Sequence, residues 1–246
     1  MSTQTLAFVG AAGGVGTTRL AVECGATLAR AGREVAVLDA AFGTQGLADY
    51  LDGHIGADLT AVVTGEAELD AALYDVPLDA TGRLALAPAR APFERLARAK
   101  TAGAAERLEK HVAAAALSHD AVLVDTPPVA ANQALTAVTA TERVATVTPD
   151  TARGADALAR TRGRLADVGA GLDAVIANFA DDGPVSREAD ARVPESATSA
   201  PSACPACCPP DTPFAPAVAR AAEAALDTTL DVGFSGDSRL GGLLDR

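Results

Sequence analysis

The stretch Val9-Gly10-Ala11-Ala12-Gly13-Gly14-Val15-Gly16-Thr17-Thr18-Arg19 decides how the rest of the chain is read. It lies between an apolar run, Leu6 to Val9, that reads as a buried strand, and a helical pattern from Arg19 to Ala29. A glycine-rich turn between a strand and a helix N-terminus aims several backbone N–H groups at one point, which suits a phosphate. Against the pattern G-x-x-x-x-G-K-[ST], Ala11 stands where the first Gly belongs and Thr17 where the Lys belongs. Residues 10–18 therefore outline a phosphate loop without its main charge. A tight strand–helix turn kept for packing alone is the competing reading.

Outward from this loop, strands and helices alternate. The first helix is expected to open at Thr17 or Thr18 and to stop at Gly32. Glu34 to Leu38 reads as a strand ending in Asp39, a carboxylate placed to reach a metal or its water shell. A loop with two glycines, residues 40–47, precedes helical pieces at Ala48–Leu51, Leu59–Val63 and Leu69–Leu73. Strands are expected at Arg83–Ala87, Ala121–Val124, Val144–Val147 and 173–177, and helices at 102–117, about 152–168 and Phe214–Leu226, the last capped by Asp211-Thr212. Four apolar residues before Asp125 make a Walker-B pattern, and Pro127-Pro128 turn the chain out of the sheet.

This alternation predicts an α/β fold, a doubly wound and mainly parallel sheet flanked by helices. Sites in such sheets lie at the carboxyl ends of the strands. The loop at 10–18, Asp39, Asp125 and Asn178 all fall there. Asp125 as a turn cap, and Asn178 as a strand-end turn residue, are the plain alternatives.

Together these residues carry a resemblance. Ala12-Gly13-Gly14-Val15-Gly16-Thr17-Thr18, Val37-Leu38-Asp39, Gly43-Thr44-Gln45-Gly46-Leu47, Val124-Asp125-Thr126-Pro127-Pro128 and Asn178 resemble, in order and spacing, the MinD/ParA deviant-Walker P-loop ATPases over roughly residues 4–226. The resemblance implies a dimer that sandwiches nucleotide, driven by ATP and used to position cargo on membrane or chromosome. It implies nucleotide contacts from Gly13, Gly14, Val15, Gly16, Thr17 and Thr18, an adenine contact from Asn178, and Mg²⁺ held by Thr18, Asp39 and Asp125.

The departures are as specific. The signature Lys of that family falls on Ala12, the phosphate-loop Lys on Thr17, and the second Asp of its D-x-D element on Ala41. Phosphoryl transfer depends on groups that neutralise developing charge and arrange the nucleophile. A degenerate member is expected, one that takes Mg-ATP or Mg-ADP and hydrolyses it very slowly or not at all. Of the catalytic groups only Asp39 remains as a candidate. An active slow ATPase is the alternative within the family.

The chain of 246 residues carries 32 acidic and 20 basic side chains, a net charge of −12, and only Lys100 and Lys110 are lysines. An acidic, Lys-poor surface suits a salt-rich cytosol, so a halophilic, haloarchaeal source is expected. The charge argues against binding nucleic acid through a broad basic face. Arg153, Arg160, Arg162 and Arg164 read as a solvated helix face and as the best local patch for an unidentified protein partner.

No basic n-region precedes Leu6 and no apolar run reaches the length of a membrane span, so a cytoplasmic protein is expected. Residues 1–228 read as one nucleotide-binding domain with an irregular Cys/Pro-rich insert at about 180–212, and 229–246 as a solvated tail without a membrane anchor. Within the insert, Cys204-x-x-Cys207-Cys208 is a half-site for Zn²⁺ or an Fe–S cluster. His54, His111 and His119 are distant in sequence, so a complete site needs Cys208 or a second subunit, and neither Zn nor Fe–S is expected as a cofactor. A metal-dependent scaffold on these cysteines is the third functional alternative; reduced or redox-sensitive thiols are the plain reading.

Overall fold

The computed structural model describes residues 3–208 and 214–234. Its centre is β1 (Gln4–Gly10), buried from Thr5 onward and paired in parallel with β5 (Ala121–Thr126) on one side and β6 (Arg143–Pro149) on the other. β2 (Glu34–Asp39), β3 (Tyr74–Asp75), β4 (Arg83–Ala87), β7 (Ala174–Asn178) and β8 (Ala191–Val193) complete one eight-stranded sheet of order β3-β4-β2-β5-β1-β6-β7-β8. Every pairing is parallel except that of the two-residue edge strand β3 with β4. The central strands read as unbroken apolar runs because helices cover both faces.

Strand alternation assigns the faces. Leu6, Phe8, Val35, Val37, Leu123 and Ile176 pack with α1 (Thr17–Arg30) and α7 (Phe214–Leu226). On the opposite face, Leu38, Val122 and Val124 meet the cluster formed by α2 (Leu59–Thr64), α3 (Phe93–Ala99), α4 (Ala102–Ala115) and α5 (Asn132–Ala140). Ala7, Val9 and Val144 pack with Leu165 of α6 (Ala152–Asp167). Such burial contributes about 1.5–3 kcal/mol per large aliphatic side chain.

Helix caps differ in a way that bears on function. Asp58 caps α2 through the Thr60 N–H at 2.8 Å, and Thr151 caps α6 through the Gly154 N–H at 3.0 Å. Helix α1 begins after Gly16 with no side-chain cap, so its first amides are left to whatever lies in front of them.

The fold is the predicted one, with four additions. β3 and β8 are two and three residues long, too short for a period-2 pattern to register. α3 and α5 follow Pro92 and Ala131 without a side-chain cap, so the usual start signal is missing. β8 lies inside the 180–212 segment expected to be irregular, which also holds 3-10 turns at Val185–Arg187 and Pro201–Ala203. The expected Asp211-Thr212 cap of α7 and the tail from 235 to 246 lie outside the described residues.

Candidate functional site

The register of the sheet brings the predicted strand ends together. Val9 pairs with Thr126 and Asp39 with Asp125, so the glycine loop, Asp39 and Asp125 share one edge. Gly14 and Gly16 have φ of 75° and 83°, backbone that L side chains rarely adopt. A Cβ at Gly16 would also stand 2.4 Å from Asn178 Nδ2, so the turn requires glycine there. None of the N–H groups from Gly13 to Thr18 has a hydrogen-bond partner among the described residues. They border a cavity of about 340 Å³ whose walls include Gly10, Ala12, Thr44, Tyr50, Asp125 and Pro127. A row of unpartnered amides at an uncapped helix start is an anion cradle by its dipoles alone.

One side of this cavity is acidic. Thr18 Oγ1 donates to Asp125 Oδ2 at 2.6 Å, and Gly46 closes over the Thr18 hydroxyl. Asp125 is buried on β5, where burial lifts its carboxyl above the ordinary range against the Thr18 hydrogen bond. Asp39 stands beside it, wholly buried, and is raised further by burial and by the charge of Asp125. Its oxygens accept from the amides of Ala41 at 2.9 Å, Ala89 at 3.2 Å and Leu47 at 3.4 Å. Asp39 thus fixes the 41–47 loop and backs Asp125, and it is not among the residues lining the cavity. The Thr18 hydroxyl and the Asp125 carboxyl are hard oxygen donors of the kind Mg²⁺ takes, whereas the Asp39 expected beside them as a ligand lies behind the wall.

The other side lacks cations. Ala12 and Ala41 line the cavity with methyl groups, and the Thr17 hydroxyl lies against Gly10, where an added Cβ would meet it at 2.7 Å. Arg19 is the only Lys or Arg among the lining residues. It is committed elsewhere: it donates to the Thr198 carbonyl, to Ser196 Oγ at 3.0 Å and to Glu23 Oε1 at 3.3 Å, and its guanidinium lies 5.4 Å from the Phe214 ring centroid. Its bonds run along α1 to Glu23 and across to the 196–198 segment.

A second cavity, of about 250 Å³, adjoins the first and shares Gly16 and Arg19 with it. Asn178 lines it while its Nδ2 donates to the Val15 carbonyl at 2.9 Å, so this residue supports the loop and borders the space beyond it. Phe179, Pro194, Glu195 and Ser196 line the same cavity and were not singled out from sequence. Phe179 has φ of 53°, a strained conformation for a bulky residue at the rim of a cavity. The Pro194-Glu195 pair directly after β8 was the available signal, and it was obscured by the brevity of that strand.

The cysteines stand apart, behind α1. Cys207 is buried, Cys204 and Cys208 are half-buried, and none is in a disulfide. Among the described residues no group of three or more His, Cys, Asp or Glu side chains is placed to hold a metal ion. In the Arg group of α6, Arg162 pairs with Glu188 at 3.1 Å on the surface. Among the described residues no helix is long and apolar enough to cross a membrane.

No protein-family model matches the chain, and no curated protein matches it. Solved structures do. The MinC:MinD cell division protein complex of Aquifex aeolicus aligns with a TM-score of 0.74 at 22% identity, over 94% of this chain and 98% of that one. The cell division ATPase MinD of Pyrococcus furiosus aligns at 0.72 and 19% identity, over 91% and 98%. The septum site-determining protein MinD of Pyrococcus horikoshii, solved with Mg-ADP, aligns at 0.68 and 20% identity, over 79% and 82%. At these identities the likeness is one of fold, and the fold of this chain is that of the MinD/ParA P-loop ATPases.

Proposed function

We propose that the chain is a degenerate MinD/ParA-like protein that binds Mg-ADP or Mg-ATP in the 10–18 loop and turns it over negligibly. It acts as a switch or scaffold, of the positioning or partitioning type, through a protein partner and a second copy of itself. The observation that carries the reading is the unequal state of the two sides of one cavity. The acidic side keeps Thr18 hydrogen-bonded to Asp125 with Asp39 behind, while Ala12, Thr17 and Ala41 stand where charged groups are needed for transfer.

Each remaining part has a physical task. The amides of residues 13–18 would receive the phosphate oxygens. Thr18 and Asp125 would hold Mg²⁺, with Asp39 fixing the loop beside them; the ion, when bound, supplies the charge that neutralises the phosphates. Asn178 and the adjoining cavity would take the base. For hydrolysis, one missing charge-stabilising contact commonly costs about 10²–10³ in rate. Two absent lysines and an absent carboxylate leave the site with binding groups and without the groups that lower the transfer barrier. The same alanine at position 12 removes the lysine that crosses to the partner's nucleotide in the resemblance, so dimerisation would depend on nucleotide less than in an active member.

Calorimetry with Mg-ADP and Mg-ATP at high KCl, followed by phosphate release on the same sample, tests the reading. Saturable binding without release supports it. Turnover abolished by Asp125→Ala would instead establish a slow ATPase.

A further inference from the structure

Glu23 lies in the middle of α1, one turn after Arg19, and is wholly buried. A carboxylate in that position requires partners. It receives them from the cysteine segment: Oε1 accepts from the Ala206 N–H at 2.9 Å and Oε2 from the Cys207 N–H at 2.9 Å. The Cys207 thiol donates to the Glu23 carbonyl at 3.2 Å, and Arg30 at the end of the same helix donates to the Cys207 carbonyl at 3.0 Å. Residues 204–208 are thus fastened along α1, the helix whose N-terminus forms the phosphate loop. Through Glu23 they also hold Arg19, which carries the 196–198 segment at the second cavity.

The fastening contains adjacent thiols. Cys207 Sγ and Cys208 Sγ are 3.9 Å apart. Cys208, with Cys204 and Arg30, borders a cavity of about 440 Å³ that is separate from the two already described. We propose that Cys207 and Cys208 form a dithiol switch, opened by a low-molecular-weight disulfide that enters this cavity and reacts first at Cys208. The Cys208 thiolate attacks one sulfur of the small disulfide; a Cys208–S bond forms, the reagent's S–S bond breaks, and one small thiolate leaves. Cys207 loses its proton to solvent and attacks the Cys208 sulfur, forming the Cys207–Cys208 bond and releasing the second small thiolate. Two protein thiols are oxidised and one small disulfide is reduced to two thiols.

The order of attack follows from the environment. Contact with the Cys207 sulfur and the nearby Arg30 lower the Cys208 thiol against its burial, whereas Cys207 is raised by that same contact, by burial and by Glu23. Neighbouring residues hold their Cα atoms about 3.8 Å apart, closer than the ordinary disulfide range of about 4.4–6.8 Å. The product is therefore strained and readily reduced, the behaviour of a regulatory bond. Closing it pulls the Cys207 thiol off the Glu23 carbonyl and turns the intervening peptide, so the Cys207 carbonyl leaves Arg30. The oxidised form releases α1 from the segment; the reduced form fastens it. None of this depends on whether the loop takes nucleotide.

The test uses the reduced full chain, oxidised glutathione as probe, peptide mass mapping, and hydrogen exchange of the α1 amides. Glutathione should appear first on Cys208, then leave as the 204–208 peptide loses two hydrogens, with Cys24 unmodified. Exchange at residues 20–24 should rise at least about tenfold on oxidation and return with dithiothreitol. Cys207→Ser should trap the mixed disulfide on Cys208. Cys204→Ser should change nothing, and its normal exchange in the reduced state controls for folding. First attack at Cys204, a bond between Cys204 and Cys208, or unchanged α1 exchange in the oxidised chain would overturn the proposal.

Discussion

The two sides of the phosphate-loop cavity have the same scaffold and opposite chemistry. On one side, β2 and β5 end side by side in Asp39 and Asp125, and Thr18 reaches across to bond the second at 2.6 Å. On the other, the loop and the 41–47 turn present Ala12, Thr17 and Ala41. The difference separates two tasks that a phosphate loop usually combines. Cradling a charged group needs amide dipoles and oxygen donors, both of which are present. Transferring it needs cations and a carboxylate for the nucleophile, and on the proposed reading Ala12, Thr17 and Ala41 do not supply them.

The sharpest way to break the comparison is to destroy the scaffold common to both sides. Gly16→Val forces a β-branched side chain into φ of 83° and into Asn178, so it should lower stability by about 2 kcal/mol or more and abolish any nucleotide-induced rise in melting temperature. Chemical denaturation with and without Mg-ADP reads both effects.

Asp125→Ala should separate binding from stability. It removes the Thr18 partner and should weaken Mg-nucleotide binding at least about tenfold. It also removes a buried carboxylate that repels Asp39, so the apo fold should keep its stability or gain some. A loss of several kcal/mol in the apo protein would show that the acidic side is structural rather than a metal-ready site.

Asn178→Ala is a milder probe of the loop's support. It deletes the hydrogen bond to the Val15 carbonyl and should cost about 1 kcal/mol, with a several-fold loss in nucleotide affinity read by titration.

The smallest effect is on pH dependence. Asp39 and Asp125 have native pKa values above those of the unfolded chain, so the native state retains protons that the unfolded state releases. Their contribution to apo stability therefore falls as pH rises from about 4, the unfolded aspartate value, toward neutrality. Asp125→Asn should flatten that slope. Asp150 behaves oppositely: against its desolvation, the Ser186 hydroxyl and the amides of Ser186, Gly183 and Asp181 pull it down to about 2. Its stabilisation is present above about 4 and disappears as pH falls toward 2.

Much of this site is legible in the sequence. The glycine loop, Asp39, Asp125 and Asn178 each follow a run of buried apolar residues, and a parallel sheet places the carboxyl ends of its strands together. What escaped depended on length and on long-range contacts. β8 carries too few residues for its alternation to stand out, so Pro194, Glu195 and Ser196 were read as part of an irregular insert. Glu23 carries no sequence signal of its own, and only the return of residues 206 and 207 to α1 gives its burial a reason.

The central claim, a nucleotide cradle kept while the transfer groups are gone, is tested most directly by titrating Mg-ATP into the protein at high KCl and assaying phosphate release from the same sample. Saturable binding with release no faster than the protein-free control is the result the account predicts. Failure of both Mg-ATP and Mg-ADP to bind, or turnover that disappears with Asp125→Ala, would contradict it.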